Sequence, residues 1–429
     1  MTIVWESTPP TGGIGRSGVA FVVLFLPMPD PMSAFLLAAL ALASPQGNVG
    51  VADPLPIEVA RLQSPDAPGE DGFGLQFDLS GDWLAVSAPF SDLAGPDAGA
   101  VYLYLRVARK IWIPHQTITS FTGGVVGDVK ISGDTLAVAT DTGLRIFTLT
   151  GRMWLPTHFL STPPSTTNYA KAFDLEGDVL AVGTGFWDCA GSTGTLEEVH
   201  VHERDAGGPG NWGLVASHSD GYQGGAFGAR VALEDDRLLV STPSIYWPCL
   251  GVYDQAHLYG RDIGGPSAWG EEAPLSAAGS SYFGEKLTLS ARVALTGGSN
   301  VHIFEPDPMG VGGGLGGWPM AATIPASAYG GWLSSIHLAG DRLFIGHRPP
   351  SGEGRLFVFE RDFGGPGAWQ SRATLFPSDT SLGDLFGARI VGDAERLAVS
   401  APGTETVYLF ASPPARRGAR ARLSGATAR

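Results

Sequence analysis

Charge is scarce in this chain. Only 16% of its residues are Asp, Glu, Lys or Arg, against about a quarter in an ordinary globular domain. Helices with solvated outer faces need more charge than that, so an ordinary helical domain is disfavoured. Basic stripes are missing as well. With 42 acidic and 27 basic residues the net charge is -15, which argues against a binder of nucleic-acid backbone or of an anionic membrane surface. Glycine follows no strict period, which excludes collagen. No apolar run is long enough to span a bilayer comfortably. Cysteine occurs twice, at Cys189 and Cys249. With no histidine ligands beside them, zinc has no site there. No Gly-x-Ser-x-Gly elbow stands between a strand and a helix, and no Gly-x-Gly-x-x-Gly opens a helix. The glycines of GVGGGLGG, residues 310–317, read as a loop.

Glycine and proline are abundant: 61 and 32 of 429 residues. They punctuate a repeat. An apolar strand, then Gly-Asp-x-Leu-Ala-Val or a relative, recurs seven times. The copies are FDLSGDWLAVSAP (77–89), VKISGDTLAVAT (129–140), FDLEGDVLAVGTG (173–185), VALEDDRLLVSTP (231–243), LTLSARVALTGG (287–298), IHLAGDRLFIGH (336–347) and IVGDAERLAVSAP (390–402). Their mean spacing is about 52 residues, a period that fits four short strands per unit. The first strand often begins at Phe-Gly (Phe73-Gly74, Phe227-Gly228, Phe283-Gly284, Phe386-Gly387). The second is Leu-Ala-Val. The third alternates aromatic residues, as in VYLYLR (101–106) and LFVFER (356–361). The fourth starts at a tryptophan (Trp212, Trp269, Trp369), directly after Arg-Asp-x-Gly-Gly-Pro-x-x at 204, 261 and 361. Those Arg-Asp pairs read as structural, pairing across the mouth of the turn. Asp82, Asp134, Asp178 and Asp341 read as turn residues, because Asp bonds locally and tolerates tight turns.

The expected fold is all-β: a seven-bladed propeller of four-stranded blades. The last unit stops after three strands near Phe410. PIEVARLQSPD (56–66) resembles WQSRATLFPSD (369–379), so residues 57–62 supply the missing strand and close the ring without a free edge. Residues 50–410 then form the propeller. The Pro-, Gly- and Arg-rich residues 411–429 form a disordered basic tail. Residues 1–49 form a leader: MSAFLLAALALAS from Met32 has the length and small-residue end of a signal peptide, which implies export.

Phe-Gly, an apolar strand and Leu-Ala-Val-x-Ala-Pro together resemble the FG-GAP repeat of integrin alpha subunits and of many secreted bacterial proteins. The resemblance covers residues 56–410. It implies extracellular recognition or adhesion rather than catalysis. Several integrin-type repeats also bind calcium, but the corresponding turns here, such as Ser80-Gly81-Asp82, offer one carboxylate where calcium needs six to eight oxygens. No cofactor or metal is expected.

Cys189 and Cys249 fall in equivalent loops of the third and fourth units, so an exported chain could bridge them. His200, His257 and His302 share a slot held elsewhere by Tyr102, Phe357 and Tyr408, and read as aromatic packing. The loops between second and third strands vary most, at 90–99, 186–194 and 245–254. Trp187, Tyr246 and Trp247 stand there outside the repeated core and are the expected contact residues for a protein or glycan ligand. Two alternatives stay open. One is an enzyme with a carboxylate of shifted pKa at the channel mouth; the other is a structural surface protein with no discrete ligand.

Overall fold

The computed structural model describes residues 54–65, 71–119, 121, 127–161, 172–184, 197–220, 226–243, 255–307, 317–330, 333–349, 353–379, 381–393 and 395–411. The chain divides into Met1–Asp53 and Pro54–Arg429. All the described residues belong to the second unit.

Seven four-stranded antiparallel sheets are arranged as a seven-bladed propeller. In the first blade the strands run Phe77–Ser80, Trp83–Ala88, Ala100–Ala108 and Ile111–Ile118, from the innermost outwards. The innermost strands of the other blades are Val129–Ser132, Ala172–Glu176, Arg230–Glu234, Leu287–Leu289, Leu333–Ala339 and Ile390–Gly392. Each contacts the next, and the seventh contacts the first, so the ring closes. The Leu-Ala-Val strands are buried on both faces because blades pack on each side of them.

The closing strand is Ile57–Gln63. It pairs antiparallel with the last strand, Thr406–Ala411, from Ile57 opposite Ala411 to Gln63 opposite Thr406, with a register shift between Glu58 and Ala60. Glu58 adds a tie to the loop after the sixth blade, accepting the Ser378 N–H at 2.8 Å and its hydroxyl at 2.9 Å.

The Phe-Gly pairs precede the innermost strands rather than opening them. Gly74, Gly228, Gly284 and Gly387 have φ between +81° and +87°. A side chain is strained in that conformation, and an extended strand cannot pass through it. The Phe before each glycine is fully buried and lies against the aromatic slot of the third strand. Phe73 meets Tyr102 at 5.6 Å between ring centroids, Phe227 meets His257 at 5.8 Å, Phe283 meets His302 at 6.0 Å and Phe386 meets Tyr408 at 5.5 Å.

In the Arg-Asp-x-Gly-Gly-Pro turns the two charges separate. Asp205, Asp262 and Asp362 take positive φ. Their carboxylates accept N–H groups five residues on, from Gly210, Ser267 and Gly367, which closes each loop. The arginines reach backwards. Arg204 pairs with Asp134 of the preceding blade at 2.7 Å and with Asp178 of its own at 2.9 Å. Arg261 pairs with Glu203 at 3.0 Å and Arg361 with Glu305 at 2.8 Å. Pairing across the turn mouth is therefore corrected for Arg204 and Arg261; Arg361 alone also touches its neighbour Asp362, at 3.1 Å. The hairpin carboxylates join the same lacing: Asp82 receives Arg106 and Asp341 receives Arg292. The tight-turn geometry belongs to the glycine before them: Gly81, Gly133, Gly177 and Gly340 carry φ near +57°. Trp212, Trp269 and Trp369 are buried against the preceding blade.

The expected disulfide is corrected too. Cys189 and Cys249 are not close enough to bond; both lie outside the described residues.

Candidate functional site

Alternate residues of a strand share one face, so every second residue of an innermost strand turns to the ring axis. Together the seven strands enclose a channel of about 1210 Å³. Its ionisable residues fall in three tiers. Asp128, Asp141, Arg230, Glu285, Lys286 and Arg389 stand at the Phe-Gly end. Asp78, Lys130, Asp174 and His337 form the middle. Glu176 and Glu234 stand at the hairpin end.

The middle tier binds backbone across the seams between blades. Asp78 accepts the Ile131 N–H at 2.9 Å, Asp174 accepts that of Leu233 at 2.8 Å, and Thr288 accepts that of Leu338 at 3.1 Å. Beside them, Ser80 and Ser132 accept from Gly133 and Gly177. Ser241 donates to the Gly284 carbonyl, His337 Nε2 to Gly392 and Arg389 Nε to Phe77. All seven seams carry such a bond. Backbone groups at or beside the inner strands thus find partners across every seam without a further strand.

Burial sets the electrostatics. It pushes Asp78 up to about 6 against the opposing pull of Lys130 and the Ile131 N–H. Burial alone would lower Lys130, but Asp174, Asp78 and Asp128 outweigh it and hold the ammonium above its ordinary value. Burial raises Glu234 to about 7, helped by Glu176, Asp235 and Asp174. It drives the His337 imidazole down to about 4. Two carboxylates thus carry the shift expected of the enzyme alternative. Asp78, however, is already engaged by Ile131, and Glu234 stands among other carboxylates. Among the described residues no three His, Cys, Asp or Glu side chains converge as a metal site.

The second candidate is the face carrying the loops between second and third strands. In the first blade this loop is well tied. The Phe90 N–H donates to the Asp71 carbonyl at 3.0 Å, Gly99 to Ser91 at 3.0 Å and Asp97 to the Asp92 carboxylate at 2.8 Å. It nevertheless shows Phe90 (47% exposed) and Leu93 (53%) to solvent. The Leu75 and Phe90 side chains both crowd Gly72, so they stand side by side. Asp71, beneath them, is raised by burial; it accepts from Ser64 and from the Phe73 N–H. Asp384 repeats that role in the seventh blade, accepting from Phe386 and Ser381. Both carboxylates therefore hold Phe-Gly turns. Trp187, Tyr246 and Trp247, the expected contact residues, lie outside the described residues. Phe90 opens the variable loop 90–99, but directly after the repeated Ala-Pro it carries no signal of its exposure.

Fold and loops define a β-propeller. Residues 57–104, from the closing strand into the third strand of the first blade, match the family model described as the FG-GAP repeat. The chain thus carries the repeat that its Phe-Gly and Ala-Pro phrases resembled. Solved propellers share the fold at low identity. The Myceliophteria thermophila Cps50 (Swd1) β-propeller domain is 10% identical, with a TM-score of 0.53, over 84% of this chain and all of that one. The Neurospora crassa Pan2 WD40 domain is 9% identical, with a TM-score of 0.52, over 84% of this chain and 96% of that one. A search of curated protein sequences yielded no match. Among the described residues, no helix is long and apolar enough to cross a membrane.

Proposed function

We propose that this protein is an exported recognition module that binds a protein or glycan through the loop face of its propeller. The carrying observation is the paired exposure of Phe90 and Leu93, beside Leu75, on a loop fixed by its own hydrogen bonds. Solvent-exposed apolar groups on a preorganised loop lose little entropy on binding. The equivalent loops of the third and fourth blades carry Trp187, Tyr246 and Trp247, which extend the surface in this reading. Export rests on the apolar stretch from Met32 to Ala43 and on the FG-GAP repeat. The propeller is taken to span 50–411 rather than 50–410, because Ala411 pairs with Ile57, with 412–429 as a tail outside it.

Glycan and protein arrays, probed with and without a chelator, test the reading. Phe90→Ala with Leu93→Ser, and Trp187→Ala with Trp247→Ala, should each weaken a hit at least ten-fold while the melting temperature holds. A hit untouched by both pairs refutes the loop face. A hit abolished by the chelator alone would bring back a metal-dependent site.

A further inference from the structure

A different surface stands on the outside of the first two blades. The third, fourth and sixth blades fold their Gly-Gly-Pro loops back onto the outer strand. Gly213 has room for no side chain because the backbone of Ala206 and Gly207 lies against it, and Ile263 closes on Gly270 in the same way. Phe363 reaches the Arg372 guanidinium at 4.9 Å in the sixth blade. The first two blades have no such loop. Their outer hairpins turn in two residues, Arg109-Lys110 and Gly151-Arg152. Their outer strands are left uncovered: Val107, Ile111, Ile113, Met153 and Leu155 are all 40% exposed or more. Across residues 100–119 and 143–161 there is no Asp or Glu, in a chain with 42 of them. Arg109, Lys110 and Arg152 are exposed at the tips. Arg106, at the base of the first hairpin, meets the Asp82 carboxylate at 2.6 Å.

We propose that these two outer hairpins form a second docking surface, for a polypeptide segment of aliphatic residues flanked by carboxylates. The charge of the surface selects the occupant. Its cations repel a second copy meeting it about a two-fold axis, where like faces like. Pro114 and Pro156 sit in the two edge strands and remove N–H groups, so a strand cannot add by continuous backbone pairing. Contact must then run through side chains. Phe159, 41% exposed on the second outer strand, lies under the Arg145 guanidinium at 5.2 Å, and a net charge of -15 disfavours a nucleic-acid backbone. An anionic bilayer would face a protein of net charge -15 along with the patch. An acidic, apolar segment matches both the aliphatic wall and its basic rim. This surface is independent of the loop face, on the outer strands rather than beside Phe90.

The test is selection of 16-residue peptides from a phage-displayed library on the full chain, then affinity by fluorescence anisotropy. Enriched peptides should carry aliphatic residues beside Asp or Glu. Binding should fall at least ten-fold in Ile111→Glu/Met153→Glu and in Lys110→Glu/Arg152→Glu. It should weaken from 50 to 500 mM salt and be unchanged in Phe90→Ala. Unchanged melting temperatures show that the variants fold. The proposal is overturned by enrichment without acidic residues, by no enrichment, or by affinity indifferent to both double variants. Flotation with vesicles of phosphatidylcholine and phosphatidylglycerol in place of peptide binding overturns it too, as does self-association that the same variants abolish.

Discussion

Asp174 accepts the backbone N–H of Leu233 at 2.8 Å across the seam between the third and fourth blades. Its other oxygen takes the Lys130 ammonium at 2.7 Å, so one carboxylate spans three blades. Both charged side chains are more than four-fifths buried. Removing one partner of such a pair strands the other, which costs about 3–5 kcal/mol where the pair is fully buried. Asp174→Ala should therefore lower the unfolding free energy by about 3 kcal/mol. Asp174→Asn keeps an acceptor for Leu233 and should lose less. Urea denaturation of the three proteins checks this; equal stability for Asp174→Ala and the parent chain would mean the seams do not depend on the channel residues.

Glu234 gives a pH signature. Burial, then Glu176, Asp235 and Asp174, lift it to about 7, while the unfolded chain titrates near the ordinary 4.5. The folded state therefore binds the extra proton between those values. The stability this confers is fully present below about 4.5 and is lost as pH rises through about 7. Glu234→Gln removes the charge that burial penalises. At pH 8 it should be more stable than the parent by about 1–2 kcal/mol, discounted for solvent reaching the channel. At pH 4 the two should coincide. Melting curves across this range decide it, and a difference that does not change with pH sinks the assignment.

The ring was legible in the sequence because each unit repeats a period-two strand and a Gly-Asp hairpin. The closing strand was legible because the last unit lacks a fourth. The seam bonds were not. At the channel position two residues before the hairpin the seven blades carry Asp78, Lys130, Asp174, Ala232, Thr288, His337 and Val391. Aligned as a repeat, that column looks unconstrained. Its polar members face a neighbour's backbone or charge, and the neighbour is some fifty residues away. The arginines misled for the same reason: Arg204 lies next to Asp205 in sequence but bonds to Asp134, a blade earlier. The loop face was half legible. Variability marked the loop 90–99, but nothing in its sequence set Phe90 apart as the exposed residue.

Glycines with the same sign of φ should respond differently to alanine. Gly284 has φ +81°, and a Cβ there would stand 2.6 Å from the Ser241 Cβ. Gly81 has φ +56° and open space around it. Gly81→Ala should cost about 1 kcal/mol, the left-handed penalty alone. Gly284→Ala adds a clash with a packed neighbour and should cost about 2–3 kcal/mol or more. Gly81→Asn should be close to neutral, since Asn tolerates that conformation. Thermal melts of the three rank them; Gly81→Ala proving the more damaging would contradict the geometry.

The closing strand should be what keeps the last blade from pairing with other chains. Ile57–Gln63 covers the outer edge of Thr406–Ala411, a strand buried along its whole length. Deleting residues 1–63 leaves that edge bare, and a bare apolar edge recruits strands from other chains. It also removes Glu58, which holds Ser378, and Arg61, which pairs with Asp379. The truncated chain should elute as oligomers on size exclusion. A synthetic peptide of residues 54–65, added during refolding, should restore the elution volume of the parent chain. Replacing Ala60 and Leu62, which pack against the core of the first and seventh blades, by Asp in that peptide should abolish the rescue. A truncated chain with the oligomeric state and the melting temperature of the parent would show that the sheets hold the ring closed without their seventh outer strand.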